Sequence, residues 1–309
     1  MAEFNQENTL RQSLVKFVNT PVLKIAYEEH GNTEDFPVIL LHGFPYDVRS
    51  WDGVVPMLQE SGYRVLVPYI RGYGFTEFLN SDFSRTAQQS AIAQDLIDFM
   101  DSLSLDQVAL AGFDWGNRAT CIASFIQPER VKALIAIGGY PVQDTVNPQP
   151  PANPISSSRM WYQWYFNTGQ GVVGLQQNRH QIIRHLWDTW SPTWKYTDEI
   201  YQRSAKSFDN PDFVDVVLHS YRHRHMNATG EHRFLELEKV LAKKPVIDVP
   251  SIILRGTDSG FGRPSAEFTV DQNQFPQLVD TLLVENAGHD LPRQRPDSVH
   301  LALTQLMNL

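Results

Sequence analysis

The chain has 309 residues, 42% of them hydrophobic, enough to fill the interior of one elaborated domain or of a core with an insertion. A net charge of -9 and a pI near 5.5, with no basic tract, argue against nucleic acid or an anionic membrane as partner. Cys121 is the only cysteine, which excludes an internal disulfide and is expected to be a small buried residue. The N-terminal residues are polar and acidic, and no apolar run approaches the roughly 18 residues that span a bilayer, so a soluble cytoplasmic protein is expected.

In chain order, residues 14–29 read as a β-hairpin broken at Asn19, Thr20 and Pro21. The runs 38–41 and 63–67 are continuously apolar, as strands buried on both faces of a parallel sheet are, and 51–60 between them suits a short helix. Ile92, Leu96, Phe99, Met100 and Leu103 recur at helical spacing within 86–103. An apolar run from Val108 follows, and 131–137 is a further buried strand. This alternation predicts the α/β class: a doubly wound, mostly parallel sheet whose ligands sit at the carboxyl ends of its strands.

After Tyr140 the composition changes. Pro141, Pro148, Pro150, Pro151 and Pro154 mark a loop, and a helical stretch carrying Trp161, Trp164, Trp187, Trp190 and Trp194 runs on to about Lys244. We read 142–245 as an α-helical insertion covering an α/β core formed by 1–141 and 246–309, its aromatics divided between pocket wall and packing. The sheet resumes at 249–255, 278–284 supplies another strand, and Val299, Leu303 and Leu306 share one face of a closing helix.

Gly112, Asp114 and Gly116 stand where the run from Val108 meets a helix, in the pattern of the nucleophile elbow G-x-S-x-G with Asp114 in the serine's place. Such glycines let strand and helix approach closely, and the bend pushes the middle side chain into the open. A carboxylate is already ionised near pH 7, so it attacks carbon without a base and leaves an ester to be hydrolysed. By itself the match suits a glycine-flanked helix cap better than a nucleophile. Asp258 and His289, however, follow in the order nucleophile, acid, histidine, each just past an expected strand and so on one rim of the sheet. A neutral His289 would take a proton from the attacking water, and Asp258 would fix its tautomer. The backbone amides of Phe44 and Trp115 would form an oxyanion hole for the acylated Asp114. Phe44, Trp115 and Trp164 are expected to line the substrate pocket.

Five motifs, His42-Gly-Phe-Pro45, Arg71-Gly-Tyr-Gly74, Gly112-Phe-Asp-Trp-Gly116, Gly256-Thr-Asp258 and Gly288-His289, make the chain resemble an α/β-hydrolase of the epoxide hydrolase branch along essentially its whole length. The resemblance implies two substrate-activating tyrosines in the cap, one in a Tyr-Gln-x-Tyr-Phe segment and one in a Tyr-Arg segment. They fall on Tyr162 and Tyr221. A phenol of pKa about 10 can donate to an epoxide oxygen as the ring opens. Three positions depart from the pattern: Phe113 stands where the family usually has His, Asn117 where it has a second Gly, and Tyr69 where Asp commonly precedes the Arg-Gly-Tyr-Gly turn.

The leading expectation is hydrolysis of an epoxide to a vicinal diol through an ester on Asp114. The alternative is a haloalkane or haloacid dehalogenase using the same three residues, with the indoles of Trp115 and Trp164 holding the halide. Against it, Phe44 and Trp115 replace a polar halide-binding residue and a substrate-binding arginine of the two dehalogenase types, and the tyrosine pair would have no task. A non-catalytic receptor is disfavoured by the intact triad, and a serine esterase by Asp114. His219 and His223 are spaced i, i+4 but have no acidic third ligand at a recognised spacing, so neither metal nor cofactor is expected. Arg222 and Arg224 read as a basic face that is solvated or paired with the acidic surface. The partner is then a small apolar epoxide or halogenated molecule. A homodimer is compatible with the sequence, which does not set the assembly state.

Overall fold

A computed structural model describes residues 15–261 and 269–309. The acidic N-terminal stretch and Leu14 of the expected hairpin lie outside the described residues. Strands β1 (Val15–Asn19) and β2 (Leu23–His30) form the hairpin, with Asn19 opposite Lys24. Its turn is closed by Thr20, which exchanges backbone and hydroxyl bonds with Leu23. Then come β3 (Phe36–Leu41), α1 (Val54–Glu60), β4 (Tyr63–Pro68), a two-residue β5 (Glu77–Phe78), α2 (Gln89–Ser102), β6 (Val108–Phe113), α3 (Trp115–Ile126) and β7 (Val131–Ile137). Six helices follow before the sheet resumes: α4 (Pro154–Arg159), α5 (Trp161–Phe166), α6 (Gly169–Trp190), α7 (Asp198–Ala205), α8 (Phe213–Arg224) and α9 (Leu235–Leu241). The chain closes with β8 (Ser251–Gly256), α10 (Thr269–Gln274), β9 (Leu278–Val284), α11 (Leu291–Gln294) and α12 (Pro296–Met307).

The strands form one sheet in the order β1-β2-β4-β3-β6-β7-β8-β9, with β5 added beside β2. From β4 to β9 every pairing is parallel, and the β1, β2 and β5 pairings are antiparallel. All six residues of β6 are buried, which is why its run is apolar without alternation. Helices α1 and α12 pack together over β4, β7 and β8, and α2 and α3 pack together over β6 and β7, so the sheet is covered by helix on both faces. Among the described residues, no helix is long and apolar enough to cross a membrane.

Two boundaries differ from the sequence reading for local reasons. Helix α2 starts at Gln89 rather than 86 because the carbonyl of Thr86 is taken by Arg71 and the amide of Ala87 by His219 Nδ1. The strand expected at 249–255 starts only at Ser251, after Pro250, which has no amide hydrogen to give the ladder.

The six inserted helices meet the rest of the chain along the loops that follow β3 and β4. Asp47 accepts the hydroxyls of Ser204 (2.6 Å) and Ser207 (2.7 Å), Trp187 Nε1 donates to Pro45 O at 2.8 Å, and Asn210 Nδ2 donates to Gly74 O and Thr76 O. Arg71, whose side chain is fully buried, is fixed by two 2.6 Å bonds to Asp95. The Arg-Gly-Tyr-Gly turn is thus a docking surface for the helices above it. Tyr69, the departure just before it, lays its ring where a side chain on Gly74 would be and donates its hydroxyl to Glu28.

At Gly116 the close approach is absolute: a Cβ there would lie 2.6 Å from the carbonyl oxygen of His42 and nearer still to that of Leu41. Both neighbours are backbone and cannot give way, so Gly116→Ala is expected to destabilise the protein by about 3 kcal/mol. A urea denaturation midpoint unchanged from the parent protein would contradict this.

Candidate active site

Between the end of β6 at Phe113 and the start of α3 at Trp115, Asp114 occupies the bend alone, with φ 53° and ψ -120°. This backbone is rarely adopted by a residue with a Cβ and persists only where its surroundings enforce it. Here Arg118 N bonds back to Asp114 O, and the amides of Phe44 (2.9 Å) and Trp115 (2.7 Å) converge on Oδ1. Gly43 leaves the room for this, since a Cβ on it would lie 2.6 Å from Oδ1. The other oxygen, Oδ2, stands 3.4 Å from Nε2 of His289.

The two oxygens are therefore inequivalent. One is held by fixed backbone donors and the other faces the His289 imidazole across 3.4 Å. The side chains of Asp114 and His289 are 17% and 20% exposed although the rings around them are buried, so they look into an interior space. Burial pushes the Asp114 carboxyl up. The bond and charge of His289, the charge of Arg118 and the Trp115 amide together outweigh it and hold the group below the ordinary carboxylate range.

Aromatic rings wall this space. Phe44 stacks on Trp115 (5.6 Å between centroids) and on Tyr162 (6.1 Å), and Tyr221 stands edge-on to Phe44 (5.3 Å) and Tyr162 (5.2 Å). Trp190 and Phe261 flank His289 at 4.9 and 5.2 Å. Tyr162 from α5 and Tyr221 from α8 are both buried, and burial is the main cause that raises their phenols above the ordinary value. Gln163 Nε2 donates to Tyr162 Oη at 2.9 Å, which occupies the phenol as acceptor and leaves its proton to give. Gln163 Oε1 in turn lies 3.0 Å from Nε2 of His225.

A pH dependence follows. Raised phenol pKa values keep both tyrosines protonated through the alkaline range, so kcat/KM of any reaction in which they donate a proton should stay flat between about pH 8 and about pH 10. A titration of that parameter with a midpoint near 9 would contradict it.

One expected placement is corrected. Trp164 is 47% exposed and does not line the space at Asp114. On α5, Tyr162 and Phe166 are i, i+4 and turn inward, which sends Trp164 to the opposite face, where it packs on His225 at 4.5 Å. Asp258 follows β8 as expected, and its amide bonds to Ala287 O on the loop that carries His289. Its carboxylate, however, accepts the hydroxyls of Thr193 (2.7 Å) and Thr257 (2.9 Å), and Asp114 is the only carboxylate among the described residues within 4.0 Å of His289. The His289 amide is fixed by Trp190 O and Ser191 Oγ at the end of α6, so the inserted helices also set the position of this loop.

The remaining sequence candidates have structural tasks. His42 is fully buried, accepts the Ile70 amide at its Nε2, and is pushed down to about 4, chiefly by burial, which makes it a neutral brace for the Phe44 loop. Phe113, the departure before the nucleophile, packs against Trp51 and His289, while Asn117 Nδ2 donates to Ile137 O (3.0 Å) and Gly139 O (2.9 Å) and ties α3 to the end of β7. Cys121 is buried with its Sγ against Asn117 Oδ1. His219 and His223 stack on one another, and His219 spends both ring nitrogens on backbone groups of Ala87 and Thr229. Among the described residues, no group of three His, Cys, Asp or Glu side chains could hold a metal.

The sequence reading gave no role to Thr193, Gln163 or Arg118. For Thr193 there was no signal, since it lies 65 residues from Asp258. For Arg118 there was one: it is four residues from Asp114, hence one turn along the same helix face.

Residues 37–294 match the family described as the alpha/beta hydrolase fold. Epoxide hydrolase A of Mycobacterium tuberculosis is 30% identical over 320 residues, covering 94% of this chain and 96% of that protein. Epoxide hydrolase 2 of Siraitia grosvenorii is 41% identical over 98 residues, 32% of this chain, and the chain spans only 30% of that relative's length. A crystal structure from Klebsiella pneumoniae, itself provisionally assigned as an epoxide hydrolase, superposes with a TM-score of 0.92 at 36% identity, covering 96% of this chain and 98% of that one.

Proposed function

We propose, for a chain that belongs to the alpha/beta hydrolase fold family and to its epoxide hydrolase-like branch, that it opens an epoxide to a vicinal diol through an ester on Asp114. The observation that carries this reading is the division of labour between the two Asp114 oxygens, Oδ1 on the amides of Phe44 and Trp115 and Oδ2 facing His289. Oδ2 attacks an epoxide carbon, the ring C–O bond breaks, and the departing oxygen takes a proton from Tyr162 or Tyr221. His289 Nε2 then removes a proton from water, whose oxygen adds to Cγ of Asp114. Negative charge builds on Oδ1, where the two amides already point. Collapse breaks the Cγ–Oδ2 bond, so Oδ2 leaves in the diol and takes the proton held on His289; the water's second proton, left on the new carboxyl, passes through solvent to the tyrosinate, so Asp114 is again a carboxylate and the tyrosine a phenol.

Asp258 is assigned to stabilise the imidazolium, on the support that its amide bonds to Ala287 O in the loop that carries His289; its carboxylate accepts the hydroxyls of Thr193 and Thr257. In this reading residues 142–245 are a cap over a core of 1–141 and 246–309. The cap supplies Tyr162 and Tyr221, while Phe44 and Trp115 line the pocket from the core. A small apolar epoxide is the substrate class, and a cytoplasmic location is part of the same reading.

Carbon–halogen cleavage has one observation in its favour. The indole Nε1 of Trp190 is buried with no hydrogen-bond partner among the described residues, beside both His289 and Tyr162, so Trp190 rather than Trp164 is the indole placed to hold a halide. An assay that scores diol formation and halide release on one panel of epoxides and haloalkanes separates the two. Diol without halide is the expected result, and halide release without diol would replace this reading by the second.

A further inference from the structure

Consecutive side chains of α5 face different directions. Tyr162 turns to the space at Asp114, Trp164 turns outward, and Gln163 lies between them, 3% exposed. Among the described residues the Gln163 side chain makes two hydrogen bonds: Nε2 donates to Tyr162 Oη at 2.9 Å, and Oε1 lies 3.0 Å from Nε2 of His225. The two ends of an amide are alike in shape, so sterics do not choose which end meets the phenol. The choice matters to the reaction. With Nε2 on the phenol, Tyr162 accepts there and its own O–H is free for the substrate. With Oε1 on it, the phenol donates to Gln163 and the proton is spent. A partner at the far end of the amide selects between the two states.

His225 is that partner. It stands where α8 stops, and the next residue, Met226, closes the helix in the left-handed region at φ 62°. The turn is fixed by Met226 N on His223 O and by Asn227 N on Arg222 O. Asn227 Nδ2 then donates to Asn167 Oδ1 at 2.8 Å, and Asn167 Nδ2 donates to the carbonyls of both Gln163 (2.8 Å) and Tyr221 (3.3 Å). Arg222 Nε donates to Phe166 O at 3.0 Å. These bonds tie the ends of α5 and α8 together, so backbone sets the distance from His225 to Gln163. Trp164 adds to the support by packing its ring on the imidazole at 4.5 Å. Burial, and after it the charge of Arg224, hold His225 below its ordinary range, so the ring is neutral at pH 7.

We propose that His225 is a positioning residue for the reaction: as its Nε2–H tautomer it donates to Gln163 Oε1, which turns the Gln163 amide so that the Tyr162 proton is free for the substrate. The inference rests on the proposed reaction only for the use made of that proton. As the ring C–O bond breaks, the proton passes from Tyr162 Oη to the departing oxygen, and the phenolate left behind keeps the Gln163 N–H. Burial opposes that phenolate, while the charge of Arg224 and the Gln163 bond favour it. His225 acts through Gln163 and not on the substrate.

The test reads the phenol itself and then turnover. With 3-fluorotyrosine in place of Tyr162, the fluorine resonance titrates that phenol in the intact protein. Gln163→Met removes the donor and should raise the midpoint by about one pH unit. His225→Phe keeps a ring on Trp164 but offers no proton, and should shift the midpoint in the same direction. His225→Gln, whose amide can donate, should largely restore it. In kcat/KM with styrene oxide, His225→Phe should cost about tenfold and His225→Gln much less, while Gln163→Glu, whose carboxylate only accepts, should cost about 10²-fold. In Gln163→Met, the further change His225→Phe should alter neither the midpoint nor kcat/KM. A midpoint that ignores His225→Phe, or a His225→Phe loss of equal size in the parent and in Gln163→Met, overturns the proposal. If the midpoint moves as expected while no epoxide is opened, the hydrogen-bond chain stands and the epoxide reading falls.

Discussion

Asp114→Asn is expected to lower epoxide turnover by a factor on the order of 10⁴ or more, because in the proposed reaction it removes the atom that attacks the substrate while changing almost nothing else. Asparagine is nearly isosteric, and its carbonyl oxygen can still accept the Phe44 and Trp115 amides that hold Oδ1 at 2.9 and 2.7 Å. What replaces Oδ2 is a neutral amide nitrogen, which does not attack carbon. The strained bend at φ 53° suits asparagine as well as aspartate, so the fold should survive. Turnover and thermal midpoint measured on the same preparation separate the outcomes. A folded variant that retains more than a few per cent of parent activity would mean that Asp114 is not the nucleophile.

The second large effect is expected from the two phenols. Tyr162→Phe or Tyr221→Phe alone leaves one donor for the departing oxygen and should cost about 10²-fold in ring opening, and the double change should cost about 10⁴-fold. The phenols are packed edge to face at 5.2 Å and both touch Phe44, so loss of the hydroxyls leaves the wall intact. Tyr162→Phe also deprives Gln163 Nε2 of its acceptor, so that variant should be the less stable of the two by about 1 kcal/mol. Displacement of halide from a haloalkane needs no such proton and should be nearly unaffected. Epoxide turnover that persists in the double variant would remove both tyrosines from the reaction.

The sheet was legible in the sequence because its strands are buried on both faces. Val108–Phe113 and Val131–Ile137 have no polar residue to break the apolar run except Lys132, and both are strands over the residues expected. The elbow was legible for a different reason: Gly112 and Gly116 mark a backbone approach that no other residue permits, and Asp114 lies between them. The directions of side chains on short helices were not legible. Tyr162 and Trp164 are two residues apart in a segment that is aromatic except for Gln163, and hydrophobicity cannot say which one faces in; only the packing of α5 on α6 and α8 does. Contacts between distant loops were equally hidden, as in the grip of Thr193 on Asp258. The two neutral-looking departures, Phe113 and Asn117, carry packing and backbone bonds whose partners at His289, Ile137 and Gly139 become neighbours only once the sheet has formed.

The covalent ester is most directly tested by trapping it. In the proposed reaction His289→Gln removes the base that activates water and leaves Oδ2 free to attack, so mixing this variant with excess styrene oxide should raise the intact mass of the protein by the mass of one substrate, on a peptide containing Asp114. An unmodified mass in His289→Gln, under conditions in which the parent enzyme forms diol, would contradict the account.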